Sequence, residues 1–219
     1  MAPAADVRVV VMDVDSTLIT GEVIELLAAH AGAREEVAAV TERAMRGEID
    51  FATSLHERVA TLAGLPVAVL DAVRADMVLT PGAERLVAEL HDRGWPVGLV
   101  SGGFHELVDP LAARLGIDFV RANRLEIADG RLTGRVVGPV VDREAKARAL
   151  RELAAAHGVP MERTVAIGDG ANDLGMLAAA GLGIAFNAKP VVCAQADVAV
   201  LDAPLDAVLE HLPRRPTGA

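Results

Sequence analysis

Short β-branched runs alternate with helix-patterned stretches along this chain, and that alternation leaves few folds open. The strand-like runs are Val7–Met12, Pro96–Val100, Thr164–Ile167, Gly183–Phe186 and Asp197–Leu201. Among them lie Ala83–Arg93, Phe104–Leu115 and Arg143–His157, with apolar residues at helical spacing. Val9, Val10, Val11 and Met12 are apolar at four successive positions, as in a strand buried on both faces. The pattern predicts an α/β fold, a Rossmann-like parallel sheet with helices on both faces. Sheets of this kind bind ligands at the carboxyl ends of their strands, where the strand order reverses.

One region breaks the alternation. From about Gly21 to Asp76 no strand-like run occurs, only the helix-patterned pieces Glu22–Ala31, Arg34–Arg46, Phe51–Ala63 and Pro66–Asp76. They predict a small α-helical bundle inserted after the first strand, able to cover that strand's end as a cap. The expected organisation is an α/β core of residues 1–20 and 77–219, a helical cap of 21–76, and a small β-hairpin insertion at 123–138. The hairpin is expected to turn at Asp129-Gly130.

Three strand ends carry the residues able to do chemistry. The first ends in Asp13-Val14-Asp15-Ser16-Thr17, the second in Ser101-Gly102-Gly103, the third in Gly168-Asp169-Gly170-Ala171-Asn172-Asp173. Residues two apart on a strand point the same way. If extended geometry persists past Met12, Asp13 and Asp15 therefore face one small volume. At ~6 Å and an effective dielectric of ~20 they repel by roughly 3 kcal/mol, and a cation is the obvious compensation. Carboxylates can be covalent nucleophiles toward phosphorus, and a second acid nearby can pass protons to the leaving oxygen and from water. Asp169 and Asp173 add the hard oxygen ligands that suit Mg²⁺ beside a substrate phosphate.

The remaining candidates each admit a plainer reading. Ser101, Gly102 and Gly103 offer a hydroxyl and free amides to an anion, or form an ordinary strand-to-helix turn. Lys146, one of two lysines in the chain, stands in the first turn of a helix, where a cation opposes the helix dipole. A phosphate would explain it; so would an exposed i,i+4 pair with Asp142. Arg58 borders a helix face made of Phe51, Leu55, Val59 and Leu62, either as a snorkelling side chain or as a clamp for a carboxylate. Glu22 could meet an ammonium group, or could simply favour the first turn of a helix.

Bulk properties exclude several classes. A net charge of −10 and a pI near 5.0 argue against a nucleic-acid partner, and 2% aromatic residues leave no base-stacking surface. No apolar run approaches the ~20 residues that cross a bilayer, and the first residues lack the pattern of a secretory signal. A single cysteine, Cys193, suits the reducing cytoplasm and is expected to be a small buried filler. The six histidines show no metal-ligand spacing, so no zinc site is expected.

Taken in order, Asp13-Val14-Asp15-Ser16-Thr17, Ser101-Gly102-Gly103-Phe104, Lys146 and Gly168-Asp169-Gly170-Ala171-Asn172-Asp173 resemble the motifs of the haloacid dehalogenase superfamily. Within it, the chain is similar to the branch that hydrolyses O-phospho-L-serine, the last step of serine biosynthesis. Ser16 supports that branch, because many other members carry glycine there. The resemblance implies Mg²⁺ and an aspartyl-phosphate intermediate. It makes Asp13 the nucleophile and a metal ligand, and Asp15 the general acid and base that also lends its backbone carbonyl to the metal. Asp169 completes the metal ligation, with Asp173 close behind it. It assigns phosphate binding to Ser101, Gly102 and Lys146, and a substrate contact to Asn172. Glu22 is matched to the substrate amine, Arg58 to its carboxylate, and Met45 and Phe51 to closure over the site. The implied partner is a small phospho-amino acid, with no nucleic acid and no membrane; oligomeric state is not implied. The first strand starts near Val7, so the N-terminal regulatory domain of many relatives is expected to be absent. Three rivals remain at this level: another small phosphate such as phosphohomoserine, transfer to an alcohol instead of water, and a silent binding protein.

Overall fold

Strand β1, Val9–Met12, is buried at every position, and its side chains split between two apolar layers. Val10 and Met12 enter one cluster, Val9 and Val11 the other, as the two-residue period of a strand requires. The computed structural model describes residues 7–46 and 48–213. The other strands are β2 Val97–Phe104, β3 Phe119–Ala128, β4 Arg131–Val137, β5 Thr164–Gly168, β6 Leu182–Phe186 and β7 Val198–Val200. They form one sheet in the order β4-β3-β2-β1-β5-β6-β7. All neighbours pair in parallel except β3 with β4. The chain proceeds outward from β1 through β2 and β3, then returns to place β5 on the other side of β1. The order therefore reverses between β1 and β5. Asp13 N–H still donates to Ile167 C=O at 2.9 Å, which holds the end of β1 against the end of β5.

Helices α1 Val23–Ala31, α2 Arg34–Met45, α3 Phe51–Ala60 and α4 Val69–Asp76 lie between β1 and β2 in the chain. In this bundle α1 packs on α2 and α4, and α2 packs on α3. Asp50 caps α3 by accepting from Thr53 N–H, and Gly32 ends α1 in the left-handed conformation. The remaining helices are α5 Ala83–Asp92, α6 His105–Leu115, α7 Arg143–Ala156, α8 Leu174–Ala179 and α9 Pro190–Cys193. Buried residues of α5 and α6 enter the cluster of Val10 and Met12, and those of α7 and α8 enter the cluster of Val9 and Val11. The sheet thus has helices on both faces.

Two elements differ from the sequence expectation. The second strand does not stop at Val100: β2 continues through residues 101–103 to Phe104, with its register against β3 shifting between Val100 and Phe104. Two glycines hid this stretch, because glycine lacks the side-chain preference that marks a strand. The hairpin turns at Asp129-Gly130, both with positive φ, as expected. Its first strand begins earlier, at Phe119, and pairs with β2, so the hairpin continues the main sheet. Cys193 is half-buried and donates to Ala188 C=O, so it is less enclosed than expected.

Connections to β4 and to α6 tie the bundle to the rest of the fold. Gly64 N–H donates to Leu132 C=O and Leu132 N–H to Leu65 C=O, while Val67 N–H donates to Gly130 C=O, so the α3–α4 link runs along the free edge of β4. In α6, Pro110 has no N–H for the Glu106 carbonyl four residues back. Arg74 of α4 donates to that carbonyl instead, at 2.9 Å.

Candidate active site

The chain leaves β1 extended at Asp13 and then loops through Val14–Leu18, closed by Ile19 N–H donating to Val14 C=O at 3.0 Å, with Asp15 extended at φ −66° and Ser16 left-handed at φ 57°. The regular strand ends before Asp15, and the two carboxylates take different partners. Asp13 Oδ1 accepts from Lys146 Nζ at 2.7 Å. Asp15 accepts from Val23 N–H at 2.8 Å and from Ser101 Oγ at 3.0 Å. Both carboxylates are buried. Gly103 is required beside them, because a Cβ there would stand 2.9 Å from Asp15 Oδ2 and 2.6 Å from Val23.

Lys146 is fully buried and bridges Asp13 to Asp173, with 2.7 Å to each. This overturns the exposed Asp142–Lys146 pair; Asp142 instead caps α7 by accepting from Ala145 N–H at 2.8 Å. Asp173 also accepts from Gly170 N–H. Its carboxyl group lies against Gly168, where a Cβ would meet it at 2.5 Å. Thr17 Oγ1 donates to Asp169 Oδ1 at 3.0 Å. Oxygens of Asp13, Asp169 and Asp173 come within 4.8 Å of one another, a group able to hold a metal ion. The cluster contains Asp173, which the sequence reading placed behind the ligands, and not the side chain of Asp15.

The inserted bundle forms the opposite wall. Glu22 precedes α1, and its Oε1 accepts from Ser16 Oγ at 2.9 Å. Arg58 donates from Nε to Ser54 C=O and is attracted by Glu22 and Asp15. A Cβ at Gly102 would stand 3.1 Å from the Phe51 ring and 4.0 Å from the Asn172 amide nitrogen, so β2, α3 and the turn after β5 converge there. Met45 ends α2, and its side chain lies outside the described residues. Three residues have roles that the sequence reading did not assign. Thr17 and Ser16 orient carboxylates, and buried Asn123 donates to Gly102 C=O at 2.8 Å while accepting from Val141 N–H. Ser16 and Thr17 follow directly on Asp15 and could have been suspected; Asn123 had no local signal.

Crowding shapes the ionisation of these groups. Burial, then repulsion from Asp173, drives the Asp13 carboxyl well above its usual range, with Lys146 opposing. Burial also raises Asp15, against the hydrogen bonds from Val23 and Ser101. Glu22 is pushed up to about 7 by burial and by Asp15. Asp169 is pushed up to about 6 by burial and by Asp173. For Lys146, burial favours the neutral amine, but Asp13 and Asp173 outweigh it and hold the ammonium form. The site therefore has more buried negative charge than Lys146 and Arg58 balance.

A surface cavity of about 790 Å³ borders the site at Ser16 and is otherwise walled by residues such as Thr20, Thr80, Asn187 and Asp202. None of the clustered carboxylates lines it.

Comparison with known proteins agrees with this arrangement. The model of the haloacid dehalogenase-like hydrolase family matches residues 10–178. A phosphoserine phosphatase of Streptomyces coelicolor is 64% identical over 202 residues, covering 92% of this chain and 49% of that protein, so the chain spans about half the length of that relative. One from Streptococcus thermophilus is 54% identical over 202 residues, covering 92% of this chain and 94% of that protein. Among solved structures, a phosphoserine phosphatase captured as an analogue of its phospho-aspartyl intermediate superposes with a TM-score of 0.90 at 40% identity, covering 95% of this chain and 100% of that one. With the family model spanning most of its length and a relative matched almost end to end, the chain belongs to the haloacid dehalogenase-like hydrolases, in the phosphoserine phosphatase family.

Proposed function

We propose that the chain hydrolyses O-phospho-L-serine to L-serine and phosphate through a phosphoryl group carried on Asp13, with Mg²⁺ as cofactor. One observation supports this reading: Asp15 at the sheet edge lies within electrostatic reach of an acid and a base on the inserted bundle, Glu22 and Arg58. A zwitterionic phosphate ester offers the matching ammonium and carboxylate.

Asp13 attacks phosphorus, and the bond from phosphorus to the serine oxygen breaks as Asp15 delivers a proton to that oxygen. Asp15, now ionised, takes a proton from water as the water oxygen attacks phosphorus, which frees Asp13 and phosphate. The raised pKa of Asp15 suits the first task, since it keeps the proton available. Lys146 steadies the charge of Asp13 and the phosphate oxygens; Ser101 and the Gly102 amide bind the same oxygens. Asn172 borders Gly102 and Phe51, where it orients the ester. Phe51, packed against Gly102, excludes water from above.

The residues present fit a divalent cation. Asp13, Asp169 and Asp173 supply hard oxygens, and burial, then repulsion from Asp173, raises Asp169 although Thr17 and Lys146 oppose it. Bound Mg²⁺ would offset phosphate charge there. The backbone carbonyl of Asp15 would complete the protein ligands. The helical insert of 21–76 is the natural cap over this site. A cytoplasmic location is part of the same proposal, and a single cysteine suits it; among the described residues no helix is long and apolar enough to cross a membrane.

Turnover on a panel of phosphate monoesters, with and without Mg²⁺, tests the proposal. Phosphoserine is expected to lead, with phosphohomoserine, phosphoethanolamine and phosphoglycerate behind it and negligible rates in excess chelator. A preferred substrate lacking the amine or the carboxylate would overturn the roles of Glu22 and Arg58.

A further inference from the structure

We propose that the hydroxyl of Ser54 is a second donor, beside Arg58, for the carboxylate of the substrate. This inference rests on the phosphoserine reading and extends it to a residue that reading does not use.

Among the described residues, Ser54 Oγ is the one buried side-chain nitrogen or oxygen with no hydrogen-bond partner. Serine in a helix can satisfy itself by bonding a carbonyl three or four residues back. Two other hydroxyls of the same bundle do so: Thr41 Oγ1 donates to Val37 C=O at 2.9 Å and Thr61 Oγ1 to Arg58 C=O at 2.7 Å. Ser54 does not, although its backbone N–H bonds Asp50 C=O in the ordinary way. A buried donor without a partner is rare in a folded protein and asks for one.

Helical spacing says where that partner stands. Ser54 follows Phe51 by three residues and precedes Arg58 by four, so the three side chains share one face of α3. That face looks toward the sheet edge, because the Phe51 ring packs against Gly102. Arg58 folds back along it, with Nε donating to Ser54 C=O at 3.2 Å, which sets the guanidinium over the turn that carries the orphan hydroxyl. Among the described residues Arg58 makes no other hydrogen bond, which leaves its terminal nitrogens for a ligand. A carboxylate accepts about four hydrogen bonds, more than one guanidinium fork supplies. A neutral O–H adds to the clamp without adding charge, which suits a wall already shared with Glu22 and Asp15.

Ser54→Ala removes the hydroxyl and almost no volume. The decisive readout is the ratio of kcat/KM for phosphoserine to that for phosphoethanolamine, which lacks the carboxylate. A hydrogen bond to a charged group predicts a fall of roughly tenfold in that ratio, expressed mainly in KM for phosphoserine. Ser54→Cys, with a weak donor of similar size, is expected to fall between the two. An unchanged ratio in both variants, with a melting temperature equal to or above wild type, would mean that Ser54 is only a buried orphan and would overturn the proposal. Failure of the underlying reading is distinguishable, since wild type itself would then show no preference for phosphoserine over phosphoethanolamine.

Discussion

Lys146 stands between Asp13 and Asp173 with no solvent against its ammonium group, and its worth depends on both partners. Removing one member of a buried ion pair strands the other charge at a cost of about 3–5 kcal/mol. Lys146→Met is therefore expected to lose phosphatase activity by orders of magnitude and to melt at lower temperature. Because Mg²⁺ can offset the stranded carboxylates, the melting deficit should shrink when the metal is added; a deficit indifferent to Mg²⁺ would argue against a shared cluster. Asp13→Asn keeps the shape and removes the attacking charge. Its activity is expected to fall by at least roughly a thousandfold, with circular dichroism unchanged. These two residues were legible as types and positions, yet the burial of Lys146 was not. A contact 133 residues apart in the chain has no local signature.

Glu22 supplies a prediction about pH at the same scale. Its folded pKa of about 7 lies above the ordinary 4.5, so the protonated form is favoured in the native state. The stability tied to that proton is present below pH 4.5 and is lost as pH rises through about 7. Glu22→Gln is expected to flatten the decline in melting temperature between pH 5 and 7 in protein without metal or substrate. The same variant should raise KM for phosphoserine. Parallel melting curves for the two proteins across that range would refute the assignment.

At the scale of elements, the attachment of the inserted bundle to the sheet matters most. The link from α3 to α4 pairs with β4, and Gly134 of β4 touches α3 so closely that a Cβ would lie 2.9 Å from Ala63 Cβ and 3.1 Å from Ala60 C=O. Gly134 also has φ 81°, which a branched side chain resists. Gly134→Val is thus expected to cost about 2–4 kcal/mol of stability, read from urea denaturation, by prising the hairpin from α3. An unaltered midpoint would show that the contact yields freely. The helices of the bundle were legible because their apolar residues recur at helical spacing. The dock was not, since Gly64 and Gly134 carry no periodic signal, and the link joins β4 mainly through backbone hydrogen bonds, with Arg131 also donating to Gly64 C=O. The extension of β2 through Ser101, Gly102 and Gly103 was hidden for the related reason that its residues are small.

Across the whole molecule, the site concentrates charge that the fold does not neutralise. The chain carries a net charge of −10, and Asp13, Asp15, Asp169, Asp173 and Glu22 all gather near Lys146 and Arg58. A cation that binds the native state alone stabilises it by mass action, about 2.7 kcal/mol at a hundred times its dissociation constant. For a chain of this size that raises the melting temperature by roughly 5–10 °C. Protons compete for the same oxygens, and Asp169 gives the window, because its pKa of about 6 must be exceeded before it ligates strongly. The expected result is a clear Mg²⁺-induced rise at pH 7.5 that diminishes as pH falls through 6. In Asp169→Asn the rise should be smaller at every pH, because one of the three oxygens in the cluster has lost its charge. If wild type gained as much from Mg²⁺ at pH 5 as at pH 7.5, the metal would be binding somewhere other than these carboxylates.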